Sequence, residues 1–171
     1  MLFIIDMQND FVDQTKGKMK VKDADKIVDG IIEKINEYNR KEDLIFYTIN
    51  IHEGMDDDNR SIGEKKWGQS LYPPLNLKLK EHKKIKKTYY AISPDKAGEI
   101  KERYKDKKEY IETIEIVGVE TNVCLISNAI VIQNMFPSSK IIIDSNLCTS
   151  NDINMHNNAL DLMRSLNMEV I

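Results

Sequence analysis

The feature that most constrains this chain is its regular alternation of short apolar runs with amphipathic stretches. "LFII" opens the sequence and stops abruptly at Asp6, "LIFYTI" spans 44–49, and "TIEIVGV", "KIIID" and "MEVI" follow later. Each is strand-sized, and each is rich in β-branched or aromatic residues, as buried strands are. Between them lie helical patterns. Asp23 is placed to cap "ADKIVDGIIEKINEYNRK", in which Ile27, Ile31, Ile35 and Tyr38 recur at helical spacing. Ser93 followed by Pro94 opens "SPDKAGEIKERYKDK", "TNVCLISNAIVIQNM" forms another helix with Thr121 as its cap, and a closing helix spans 152–166. A weaker strand covers 82–87. Strand and helix in alternation predict an α/β fold of three layers, αβα, around a mainly parallel, about six-stranded Rossmann-like sheet.

The length of 171 residues fits one domain, 1–171, with no repeat or low-complexity linker to divide it. Residues 50–74, "NIHEGMDDDNRSIGEKKWGQSLYPP", show no clear period and read as a long functional loop. A net charge of −3 argues against a general nucleic-acid binder, and no apolar run is long enough for a membrane span. The N-terminus lacks a basic leader region, and the two cysteines read as free thiols in a reducing cytoplasm.

Chemistry in parallel α/β folds gathers beyond the carboxyl ends of the strands, and three reactive side chains fall there: Asp6, Lys87 and Cys124. Asp6 is either a loop starter capping backbone amides or a partly desolvated general base. Lys87 ends the basic run "KLKEHKKIKK", which reads first as a solvated segment; held at the sheet edge, its ammonium would instead stabilise a thiolate. Lys86 points to the opposite side of a strand. Cys124 is either a small core residue or a nucleophile in a first helical turn, where free amides and the helix dipole would lower its thiol pKa. Cys148, in the polar stretch "SNLCTSND", reads as incidental. His52, His82 and His156 lack partners and read as polar or surface residues, while Phe11 and Trp67 serve either a flat ligand or local core.

"FIIDMQNDFV", the lysine of "KTYYAIS" and "GVETNVC" resemble, in that order, the signatures of isochorismatase-like cysteine hydrolases, which include nicotinamidase/pyrazinamidase and N-carbamoylsarcosine amidase. The resemblance runs from Met1 to Ile171. It implies an Asp6–Lys87–Cys124 triad, a cis peptide bond at Val119–Glu120, an oxyanion hole from the backbone N–H groups of Glu120 and Cys124, and Phe11 and Trp67 lining the substrate pocket. The Glu120 side chain has no required role in that scheme. The implied reaction is amide or ureido C–N cleavage of a small molecule through a thioester, with release of ammonia or an amine, by a homo-oligomer.

Nicotinamidases resemble one another in a metal site in the loop after the second strand. Here Asn50 stands where the aspartate would be, His52 matches the first histidine, and Asp58 and Ser70 lie around the other two histidine positions. A neutral amide and one imidazole form a poor set for zinc or iron. The expectation is therefore no required cofactor and at most weak divalent metal binding. Ala91 stands where many relatives carry serine. Two other readings remain: a true nicotinamidase with a remodelled loop, and a catalytically idle binding or regulatory protein.

Overall fold

The structure, a computed structural model, describes residues 1–51, 59–106 and 111–171. Its six strands are β1 (Leu2–Ile5), β2 (Ile45–Asn50), β3 (Lys83–Lys87), β4 (Thr113–Val119), β5 (Lys140–Thr149) and β6 (Glu169–Val170). They form one sheet in the order β3-β2-β1-β4-β5-β6, and every neighbouring pair is parallel. The α/β sheet expected from the alternation is thus present, parallel throughout rather than mainly so.

Two apolar clusters cover the two faces of the sheet, as the parity of its strands requires. Phe3 and Ile5 of β1 join Ile114 and Ile116 of β4, Ala129 and Ile132 on one side. Leu2 and Ile4 join Val117, Val119, Ile31 and Ile35 on the other. β1 is buried on both faces, which is why it reads as an unbroken apolar run. No helix among the described residues is long and apolar enough to cross a membrane.

The chain leaves β1 in opposite directions, through β2 and β3 on one side and β4, β5 and β6 on the other. The connections diverge at the carboxyl ends of β1 and β4, and a crevice opens at such a switch point. Gly118 lets these two strands meet. Its φ is +115°, and a Cβ there would lie 2.3 Å from the Ile5 carbonyl oxygen and 2.7 Å from the Ile5 nitrogen, so no other residue fits.

Several local expectations are corrected. Asp23 does not cap the second helix: it takes a left-handed φ of 60° and pairs with Lys26, and α2 begins at Val28 (α1, Asn9–Val12; α2, Val28–Arg40). Ile27 is buried just outside it. The stretch read as one loop contains α3 (Ile62–Gln69), and the first turn of α4 (Pro73–Leu79) begins at its end. The signals were in the sequence: Ser61 and Glu64 form a reciprocal capping box, and Pro73 and Pro74 open the next helix. α5 (Pro94–Arg103) starts with Ser93 as its cap, accepting a bond from the Lys96 amide. α7 (Ile153–Ser165) is capped by Asp152, which accepts from the amides of Asn154 and Met155. Cys148 lies inside β5, buried, and not in a polar connection. The β4–β5 register shifts between Ile116 and Gly118 and resumes with Gly118 opposite Cys148, which carries β5 five residues past the expected "KIIID".

Candidate active site

Asp6 is the residue after β1, and its φ of 50° lies in the left-handed region, which a non-glycine residue enters at a cost. Thr48 holds it there. The Asp6 amide donates to Thr48 Oγ1 at 3.0 Å, and that hydroxyl donates to Asp6 Oδ1 at 2.5 Å. Thr48 interrupts the apolar run of β2, whose last residue is Asn50. Asp6 Oδ2 faces Lys87 Nζ at 2.6 Å, and neither side chain is exposed at all. The two form a buried ion pair, and a carboxylate oxygen with two lone pairs still has one for another proton.

β3 presents Lys87 inward because its side chains alternate. Ile85 and Lys87 are buried, whereas Lys84 and Lys86 are exposed. The Lys87 ammonium donates to the Tyr89 carbonyl at 2.8 Å and lies 3.6 Å from Cys124 Sγ. Three residues spread across the sequence therefore converge on one buried cluster.

Cys124 sits in a π-helical turn, Thr121–Leu125, which runs directly into α6 (Ile126–Met135). π turns of this kind are frequent at functional sites. Thr121 does not cap it. Its hydroxyl donates to the Thr149 carbonyl at 2.9 Å, so His156 Nδ1, 3.0 Å away, must carry the proton it shares with Thr121 Oγ1. His156 thus braces the turn rather than standing alone. The Glu120 carboxylate accepts from Ser150 Oγ at 3.0 Å and from the Asn151 amide at 2.9 Å, which ties the turn to the end of β5. The Val119–Glu120 peptide bond is cis.

The thiol is not lowered by its place near a helix start. Burial, followed by the nearby Asp6 carboxylate, pushes Cys124 up to about 12, and Lys87 offsets only part of this. The thiol therefore rests neutral at neutral pH beside the Asp6–Lys87 ion pair. A thiol titrating near 9.0 in the unfolded chain and about 12 in the folded one gives stability that is full below pH 9 and lost as pH rises through that window. Urea denaturation between pH 8 and pH 11 is therefore expected to show a shallower fall in stability for Cys124→Ala than for the parent. Equal slopes would overturn this.

The remaining expected residues are scattered. Phe11 is half-buried and packs against the cluster beneath α2. Trp67 is 36% exposed and lines an open cavity of about 490 Å³ with Asp10, Thr15, Lys18 and Arg60; none of Asp6, Lys87 or Cys124 lines it. Asn50 ends β2, buried, with its amide and carbonyl clamped by the Gln8 carboxamide at 2.8 and 2.9 Å. His52 and Asp58 lie outside the described residues. Among the described residues no three His, Cys, Asp or Glu side chains gather as a metal site, and Asn50 offers a neutral amide where a cation needs a charged or imidazole donor. The described residues by themselves make no zinc or iron site.

With its sheet order, switch-point crevice and buried carboxylate–ammonium–thiol cluster in place, the chain belongs to the isochorismatase family: the family model described as the Isochorismatase domain matches residues 1–171. It is a hydrolase of that family. Among solved structures it is similar to the nicotinamidase of Staphylococcus aureus, at 26% identity and a TM-score of 0.79 over 99% of this chain and 96% of that one. It shares its fold with the nicotinamidase of Bacillus subtilis (21%, TM-score 0.79, 99% and 97% covered). The pyrazinamidase of Pyrococcus horikoshii, solved in complex with zinc, is likewise similar (18%, TM-score 0.75, 99% and 97% covered). No curated protein matches the chain.

Proposed function

We propose that this protein hydrolyses a C–N amide or ureido bond of a small molecule through a cysteine thioester, releasing ammonia or an amine. The observation that carries this reading is the buried contact of Asp6, Lys87 and Cys124, at 2.6 Å from ammonium to carboxylate and 3.6 Å from ammonium to sulfur. The nicotinamidases and the pyrazinamidase among its structural neighbours support it.

Asp6 takes the Cys124 proton as sulfur attacks the carbonyl carbon, and Lys87 offsets the negative charge that develops on sulfur. The carbonyl oxygen becomes an oxyanion held by the backbone N–H groups of Glu120 and Cys124. As the intermediate collapses, Asp6 gives its proton to the leaving nitrogen, and the C–N bond breaks to leave a thioester. Water then attacks the thioester, its proton passing to Asp6. The C–S bond breaks, and Asp6 returns a proton to sulfur. A high resting thiol pKa suits this scheme, because the proton leaves only in concert with attack.

The test is ammonia release over a panel of nicotinamide, pyrazinamide, simple carboxamides and ureido acids, with added zinc and with a chelator. Turnover of at least one amide, insensitive to the chelator, is expected. Nicotinamide turnover abolished by the chelator would replace this reading with that of a nicotinamidase whose metal loop is remodelled. Ligand binding without any turnover would replace it with an idle binding protein.

A further inference from the structure

Asn128 is a buried polar residue on α6, one turn beyond Cys124, in the mostly apolar stretch "CLISNAIVI". It makes three hydrogen bonds. Nδ2 donates to the Cys124 carbonyl at 2.7 Å and to the Tyr90 carbonyl at 3.0 Å, and Oδ1 accepts from the Ile92 amide at 2.9 Å. A carboxamide has two donors and one acceptor oxygen, and here all three functions are used.

The partners explain why this matters. Tyr90 and Ile92 belong to the segment that follows β3, and the preceding carbonyl, that of Tyr89, receives the Lys87 ammonium at 2.8 Å. Cys124 belongs to the turn at the other side of the crevice. One side chain thus joins the backbone that carries the nucleophile to the backbone that holds the ammonium. No sheet hydrogen bond does this, because β3 and β4 are separated in the sheet by β2 and β1.

We infer that Asn128 is a positioning residue that sets the separation of the Lys87 ammonium from the Cys124 sulfur, acting through the Tyr89–Ile92 segment. This rests on the cysteine-nucleophile reading above. With Asn128 replaced by an apolar side chain, Tyr90 and Ile92 lose their partner and the Tyr89 carbonyl is free to move. Lys87 then withdraws from sulfur, and the thiolate loses that cation. The chemistry suffers without any loss of substrate contacts, since Asn128 itself is fully buried.

The experiment is iodoacetamide labelling of the full-length protein at pH 7–9, read by peptide mass spectrometry at Cys124 and, as internal reference, at the equally buried Cys148. In the parent, Cys124 is expected to label faster than Cys148 although its resting thiol is neutral, because Asp6 takes its proton as sulfur attacks the probe, whereas the Cys148 thiol faces the Ser145 carbonyl; if it does not, the nucleophile reading itself fails, which separates the two ideas. In Asn128→Leu, Cys124 labelling is expected to fall about tenfold while Cys148 labelling stays constant. Asn128→Thr keeps an acceptor for Ile92 and a donor for the Cys124 carbonyl, and should fall only about threefold, which also provides the answer if the leucine variant does not fold. An unchanged or faster Cys124 rate in both variants, or a parallel rise at Cys124 and Cys148, overturns the inference; the last outcome marks a merely structural residue.

Discussion

Lys87→Met is expected to damage both folding and activity, and more severely than any surface change. The substitution keeps most of the side-chain volume but leaves the Asp6 carboxylate buried with Thr48 as its main partner. Breaking a buried ion pair from one side costs about 3–5 kcal/mol, a large share of the roughly 5–15 kcal/mol that holds a domain together. Thermal melting should fall by roughly 6–20 °C. Because the cost is that of an unpaired negative charge, lowering the pH should relieve it: the gap between variant and parent is expected to be smaller at pH 5 than at pH 8. The double variant Asp6→Asn with Lys87→Met removes both charges and should recover much of the lost stability while staying inactive. If the double variant melts as low as the single one, the pair is not the source of the loss. Lys87→Arg is not a rescue, since the guanidinium is larger and planar where a compact ammonium fits between three acceptors.

Cys124→Ala should abolish ammonia release from any amide the parent turns over, by at least about a thousandfold, with little change in melting temperature. The change removes one small buried group and leaves the Asp6–Lys87 pair intact. Binding of the same amide, measured by calorimetry, should persist. Cys148→Ala is the control: its thiol lies in β5, and the mechanism gives it no step, so turnover should be retained. More than a few per cent of parent activity in Cys124→Ala would move the nucleophile elsewhere.

The centre of the sheet was legible because β1, β2 and β4 are buried on both sides, and burial writes itself as apolar runs. The orientation of Lys87 was legible for a related reason: a period of two, once the strand is granted, sends Ile85 and Lys87 inward and Lys86 outward. The supports of the cluster were harder to see. Thr48 and Asn128 are single polar residues whose partners lie 42 and 36 positions away, and no local pattern marks such pairs. Thr121 looked like a cap because caps favour its hydroxyl, but its bond runs to β5 instead. The thiol was misread for a physical reason. A helix start favours an anion only when that anion keeps its solvation, and here burial and a neighbouring carboxylate act against it together. The helix within 50–74 and the one that begins at its end were marked by Ser61, Glu64 and the proline pair, signals that periodicity alone overlooks.

The pairing of Asp6 with Lys87 has one more consequence. A carboxylate, an ammonium and a neutral thiol sum to zero, and shifting the thiol proton to the carboxylate leaves the sum at zero. On the proposed mechanism the reaction therefore begins, and reaches its nucleophilic form, without any change in the charge of these three groups. Such a centre exerts little long-range pull on ions and leaves an uncharged carboxamide no worse placed than a charged one. Discrimination among substrates must then come from the walls around the centre, and two related chains could share this chemistry unchanged while accepting entirely different molecules.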